Sequence, residues 1–378
     1  MSGDWVCGFI GRMARKLKSD RVLFLTTILL VALSVVMVYS ASAVVAMERY
    51  RQPYLFLTKQ IMWAVVGVAL LAVIMRIDYR VYREPAFIWS CLALVGLGLV
   101  AVLFSRPVNN ARRWIGIGSL GIQPSELAKL VAIFFIAAIL ERRMHRINTV
   151  TYSLVPIGLV LCGLVGLILL EPDFGTSMSL VLIAAVMIFA AGLDYRYVAG
   201  LCLALLPIAA VIAISAPYRL RRLVSFLNPW DDPLGDGFQV IQSLIAVGTG
   251  GVSGRGLMNG VQKLFYLPEP HTDFIYSVIA EELGLIGATA VLVCFAVIAW
   301  RGIRIALRAP DRFGAFVALG LTTMIAVQAL VNISVVLGLM PTKGIPLPLV
   351  SAGGSSLLIN LLGMGVLLNV SQHAQLQA

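Results

Sequence analysis

Runs of about twenty consecutive uncharged, mostly apolar residues recur along the chain, and they restrict the fold more than any other feature. They cover Val22–Met47, Ala86–Ser105, Thr149–Leu170, Phe174–Leu193, Tyr197–Tyr218, Phe313–Thr342 and Ile345–Val370. An α-helix rises about 1.5 Å per residue, so each run suits a hydrocarbon layer about 30 Å thick. Three further stretches bring the expected number of helices to ten. Gln60–Met75 reaches span length from near Tyr54 with Lys59 at the interface, Pro124–Leu140 carries Glu126 and Lys129, and Phe274–Trp300 carries Glu281 and Glu282. No period-two alternation bounded by turns is present, which excludes a membrane β-barrel. The expected fold is therefore an all-α polytopic membrane protein of ten transmembrane helices, forming a single domain over residues 1–378. Only 12% of residues are charged, against about a quarter in soluble domains. This excludes an ordinary soluble enzyme, a disordered chain and a disulfide-stapled secreted domain. The first apolar run is too long for a cleavable signal peptide.

The net charge is +11, and the cations lie mainly between apolar runs. No nucleic-acid motif accompanies them. Arg12–Arg21, Arg76–Arg83, Arg142–Arg146, Arg196 and Arg301–Arg312 all fall on the N-terminal side of a ten-span chain. The positive-inside rule puts that side in the cytoplasm, with both termini and a basic segment at residues 1–21. Two outer loops are long. One is Arg106–Gln123, and the other is residues 218–272. In the second, Phe238, Ile241, Leu244 and Ile245 recur at helical spacing, which predicts an amphipathic helix lying on the membrane. No cysteine lies in that loop, so no disulfide framework is expected there.

Candidate chemistry gathers on the outer side. Glu269, His271 and Asp273 crowd the mouth of the span that starts at Phe274. From spacing alone Asp273 suits a helix N-cap first and a general base second. Their spacing matches no metal-ligand pattern. Arg112, Arg113 and Trp114 suit either a pyrophosphate or an interfacial anchor. Glu126 and Lys129 share a helix face, as a mutual ion pair or as a phosphate site with its orienting carboxylate. Asp173 in the turn Glu171–Thr176 suits a cap. Near the C-terminal end, Lys343, Pro346 and Pro348 precede Ser351, Ala352, Gly353, Gly354, Ser355 and Ser356. Those small residues suit close helix packing or a broken helix whose free amides bind an anion. Gly116, Gly118 and Gly121 spell GxGxxG without the strand–helix crossover of a dinucleotide site.

Several blocks taken together resemble one family: NNARRWIGIGSLGIQPSELAKL, EPDFGTS, RLVSFLNPWDDPLGDGFQ, LPEPHTDFIYSVIAEELGLIG and GLMPTKGIPLPLVSAGGSS. Their order and content resemble the SEDS membrane glycosyltransferases of shape, elongation, division and sporulation. PTKG and EPHTD are similar to the cell-division, FtsW-type branch, while Ala352 departs from the aromatic residue common in its SxGGSS block. The resemblance implies a peptidoglycan glycosyltransferase of septal wall synthesis that polymerises lipid II into glycan strands at the outer face of the bacterial cytoplasmic membrane. It implies that Asp273 is catalytic and that Arg113 and Lys129 bind substrate. Trp114, Glu126, Arg112, Glu269, His271, Lys343, Ser351, Ser355 and Ser356 are candidate substrate-binding neighbours. Implied partners are lipid II, the nascent lipid-linked glycan, a class B penicillin-binding protein and small bitopic division proteins. A divalent cation (Mg or Mn) is a conceivable assistant, with no dedicated metal site in the sequence. The competing readings are a lipid II flippase, an elongation-type (RodA-like) polymerase and a non-catalytic scaffold.

Overall fold

The computed structural model describes residues 19–105, 112–117, 120–197, 200, 203, 225–235, 237–342 and 344–374. Long helices dominate, because in hydrocarbon only a helix satisfies its own backbone. They are α1 (Arg21–Tyr50), α2 (Leu55–Ile74), α3 (Pro85–Leu103), α4 (Pro124–Arg143), α5 (Val155–Leu170), α6 (Phe174–Ala190), α7 (Phe238–Gly250), α8 (Ile275–Arg308), α9 (Arg312–Val336) and α10 (Gly354–His373). Among the described residues, seven helices are long and apolar enough to cross a membrane: α1, α2, α3, α5 with its preceding turn, α8, α9 and α10. α4 has 20 residues but carries charge at both ends, and α6 has 17. The expected span Tyr197–Tyr218 lies almost wholly outside the described residues, as do Arg219, Arg221, Arg222 and Lys343.

The helices are arranged as a centre and a rim. In α9 and α10, 72% and 83% of the most apolar window is buried, against 22% in α2 and α3. The rim helices turn Leu25, Leu29, Val65 and Leu97 outward, where lipid would cover them. α9 packs against α4, α6, α8 and α10, so the helices that carry the candidate site share one interior.

Contacts at the helix ends sort the bundle into two rims. At one, Asp20 caps α1 and receives Arg301 at 2.6 Å, Arg83 meets Glu141 at 3.1 Å, and Tyr79 donates to Asp311 at 2.5 Å. At the other lie the starts of α4, α6, α8 and α10 and the end of α5. The candidate residues belong to this second rim.

Four expectations change. First, the run Ile345–Val370 is not a continuous helix. α9 stops at Val336, Gly338 takes φ +67°, and residues 341–342 and 344–353 are non-helical before α10 starts at Gly354. Pro341, Pro346 and Pro348 lack N–H groups and push their predecessors extended, which breaks the helix the composition alone would allow. Second, the loop at Arg106–Gln123 holds an antiparallel hairpin, β1 (Ile115–Ile117) and β2 (Leu120–Ile122), with Gly116 opposite Gly121. Gly116 and Gly121 of the GxGxxG pattern belong to this hairpin. Third, α7 is docked into protein rather than lying only on a membrane. Val240, Ile241, Ser243 and Ala246 are buried, and Ser243 donates to the Val336 carbonyl at 2.8 Å.

Fourth, α8 is kinked at Gly284, with φ 66° and ψ −166°. A side chain at Gly284 would run into the Gly254 amide, and one at Gly250 into the Ala280 carbonyl. Those glycines let the residue 250–256 loop lie directly on the kink. Glu281 and Glu282, both fully buried, then hold the loop. Glu281 accepts from the Val261 amide at 2.8 Å, while Glu282 takes the Lys263 ammonium at 2.6 Å, the Ser40 hydroxyl at 2.7 Å and the Met258 amide at 3.0 Å.

Candidate active site

A cavity of about 260 Å³ opens at the second rim. Arg113 and Trp114 line it from the hairpin side, Glu126 and Lys129 from α4, Asp173 and Thr176 from the start of α6, Glu269 and Asp273 from the segment before α8, and Ser356 from α10. Glu126 and Lys129 on α4 and Gln328 on α9 turn toward this space, because burial in hydrocarbon without a partner is costly.

Asp273 does not cap α8. The N-cap is Phe274, and no side chain caps that end. The carboxylate faces the cavity, close enough to the 344–346 segment that a side chain on Gly344 would come 2.8 Å from its Oδ2. Burial first, then the nearby Glu269 carboxylate, push its pKa up to about 7, while Arg113 pulls the other way. A carboxylate held there exchanges a proton near neutrality, as a general base requires. Gly344→Ala therefore displaces the carboxylate. The expected outcome is loss of at least tenfold in turnover with normal thermal unfolding, checked by polymerisation rate and scanning fluorimetry on one preparation.

The cations line the same cavity. Lys129 and Glu126 are paired at 2.8 Å, with side chains 1% and 6% exposed. Glu126 keeps one buried oxygen, Oε2, without a partner among the described residues. The pair thus leaves an unmet acceptor on the cavity wall beside a buried ammonium. Arg113 spends Nε on the Glu171 carbonyl at 3.3 Å and Nη2 on the Pro172 carbonyl, two of its five N–H donors. The α5–α6 turn therefore aims the guanidinium at the cavity. Glu171 is fully buried, with neither carboxyl oxygen partnered among the described residues. Burial and Asp173 raise its pKa to about 8, against the pull of Arg113.

Other candidates stand elsewhere. Arg112 is exposed and donates to the Leu103 carbonyl at 2.7 Å, away from the cavity. His271 is buried against the Phe56 ring, centroids 4.6 Å apart, with Nε2 3.9 Å from Glu269. Burial lowers its pKa, so at neutral pH it is an uncharged packing residue. Ser351 binds backbone rather than facing the cavity: its hydroxyl donates to the Thr272 carbonyl at 2.5 Å and accepts from the Leu347 amide at 2.8 Å. Ser355 is buried off the cavity wall, and Lys343 lies outside the described residues.

Sequence reasoning passed over several wall residues. Asp173 does cap α6, accepting from the Thr176 amide at 3.2 Å, yet it also takes Gln123 at 2.9 Å and lines the cavity. Gln328 lines it from α9, and Asn332, one turn later, is buried behind it. Two amides four residues apart in an apolar run were a legible sign of one inward face. Among the described residues, no group of three or more His, Cys, Asp or Glu gathers as a metal site.

The site gathers basic and acidic side chains around one cavity at one rim of the bundle. Comparison with known proteins identifies the family. A family model described as "Cell cycle protein", covering FtsW, RodA and SpoVE, matches residues 20–376. Stage V sporulation protein E of Bacillus subtilis is 45% identical over 96% of this chain and 99% of its own length. A probable peptidoglycan glycosyltransferase FtsW of Geobacter metallireducens is 42% identical over 93% of this chain and 94% of its own. A solved chain of a peptidoglycan synthase complex that coordinates polymerisation and crosslinking superimposes with a TM-score of 0.78, at 33% identity, over 96% of this chain and 100% of that one. Matched nearly end to end by family model and relatives alike, the chain belongs to the cell-cycle protein family of FtsW, RodA and SpoVE.

Proposed function

We propose that the chain is a peptidoglycan glycosyltransferase that polymerises lipid II into β-1,4-linked glycan strands, with Asp273 as the base. The observation that carries this reading is the Asp273 carboxylate on the wall of one cavity with Arg113 and Lys129. The relatives named as peptidoglycan glycosyltransferases support the activity. The positive-inside rule puts the rim of Arg76, Arg83, Arg142 and Arg301 in the cytoplasm, with both termini, and the cavity at the outer face.

The donor is the growing strand, whose MurNAc is α-linked to undecaprenyl pyrophosphate, and the acceptor is lipid II. Both lipid tails stay in hydrocarbon. Asp273 takes the proton of the acceptor's GlcNAc 4-hydroxyl, whose oxygen attacks the donor's anomeric carbon. The bond from that carbon to the pyrophosphate oxygen breaks with inversion. Pyrophosphate leaves without a proton because Arg113 and Lys129 match its charge. The pairing of Lys129 with Glu126 holds the ammonium in place while the site is empty of phosphate. Among the described residues no three carboxylate, His or Cys groups gather as a metal site, and the steps above use this chain's own side chains.

Septal cell-wall synthesis suits the FtsW-like blocks. A class B penicillin-binding protein is the proposed crosslinking partner, in line with the synthase complex whose chain superimposes on this one. Small bitopic division proteins are proposed as its activators. The test is purified protein in sealed vesicles carrying lipid II on the cavity-side leaflet only. A ladder of glycan strands is the expected product. Lipid II crossing to the other leaflet with no strand formed would overturn the reading in favour of a flippase.

A further inference from the structure

We infer that Asn332 is a positioning residue for polymerisation, tying the backbone at Asp273 to the 344–346 segment at the lip of the cavity. This deepens the reading of Asp273 as the base and rests on it. The Asn332 side-chain amide donates to the Asp273 carbonyl at 2.7 Å and to the Ile345 carbonyl at 2.8 Å. Both N–H donors of one planar group are thereby used, which a hydroxyl or an apolar side chain cannot reproduce. Asn332 is 2% exposed, between Val331 and Ile333 in a helix otherwise mostly apolar.

Asn332 completes a series. Three successive carbonyls before α8 are each held from another element. His271 accepts from the Ala352 amide at 2.9 Å, Thr272 from the Ser351 hydroxyl at 2.5 Å, and Asp273 from Asn332. Bonding within α8 begins one residue later, where the Ser277 amide goes to the Phe274 carbonyl. The helix therefore does not fix residues 271–273, and α9 with the 351–352 turn does. Buried carbonyls need such partners. Because Ile345 shares the Asn332 amide, Asp273 and the lip at Gly344–Pro346 keep one spacing. That spacing sets how far the carboxylate stands from a sugar hydroxyl. The charged groups facing Asp273 are Glu269 on its own segment, Arg113 from the hairpin side, Glu126 and Lys129 on α4, and Asp173 at α6. None of them belongs to α9, so a change at Asn332 alters position without adding or removing a charge.

The test is Asn332→Leu in purified full-length protein with lipid II, beside Leu321→Ala, a fully buried apolar change on the same helix. The expected result for Asn332→Leu is a kcat loss of at least about tenfold, since an error near 1 Å can cost about a hundredfold. KM for lipid II should stay within about twofold, because binding groups are untouched. The acid limb of the pH–rate profile should move to lower pH as the carboxylate relaxes toward water. Leu321→Ala should lower thermal stability and leave the limb in place. Asn332→Ser, which keeps one donor, should fall between wild type and Asn332→Leu, and it serves alone if the leucine variant does not fold. Wild-type kcat and an unmoved acid limb in a folded Asn332 variant would overturn the inference, as would a loss matched by Leu321→Ala. Asp273→Asn is run in parallel. If that variant polymerises normally, the base assignment fails. If it is inactive while the Asn332 variants behave as wild type, this inference alone fails.

Discussion

Asp273→Asn lowers the rate of glycan polymerisation by about 10²–10⁴-fold, the usual worth of a general base, and leaves lipid II binding intact. Asparagine keeps the shape of the side chain and removes only its capacity to take a proton. The pH dependence makes the expectation sharper. With the pKa pushed up to about 7, the wild-type rate rises through neutrality and falls about tenfold per unit on the acid side, where the carboxyl is protonated. The sign of the stability effect is opposite. A carboxyl whose folded pKa lies above its unfolded value costs stability progressively as pH rises from about 4 to about 7. The neutral Asp273→Asn protein should therefore unfold no earlier than wild type at pH 8. Strand length on gels, lipid II binding and thermal unfolding across pH check the three parts. Full retained polymerisation would remove the base role.

Lys263→Met produces the largest loss of stability, about 3–5 kcal/mol, because it leaves the Glu282 charge without its cation. The side chains are 4% and 0% exposed and meet at 2.6 Å. Removing one partner of such a pair strands a charge in a low-dielectric interior. The remaining hydrogen bonds from Ser40 and the Met258 amide do not neutralise it. That loss is a large part of the 5–15 kcal/mol by which folded domains are usually stable. The double change Lys263→Met with Glu282→Leu should recover much of it, since both charges are then gone. Thermal unfolding in detergent measures both, and proteolysis within residues 251–263 reports release of the loop. A single variant as stable as wild type would show that water reaches the pair.

These experiments probe different kinds of information. The helices are legible in the chain because about twenty uncharged residues in hydrocarbon have one way to satisfy their backbone. The place of Asp273 at a rim is legible too, from a polar EPHTD stretch opening an apolar run. So is the inward face of α4, since charges three residues apart in a span must share a side.

The partners of those residues are not legible. Asn332 reaches Asp273 across 59 positions, Gln123 reaches Asp173 across 50, and Lys263 reaches Ser40 across 223. A helix pattern reports which face is buried but carries no register between one helix and the next. The same blindness hid the docking of α7, because an apolar stripe reads alike whether lipid or protein will cover it. It also let Ser351 pass as a ligand, when its hydroxyl is spent on backbone. Local chemistry along the chain dictated the spans and the rim that bears the acid. Packing of α9 and α10 against α8 dictated where that acid stands, because hydrogen-bond geometry between distant segments exists only once they are in contact.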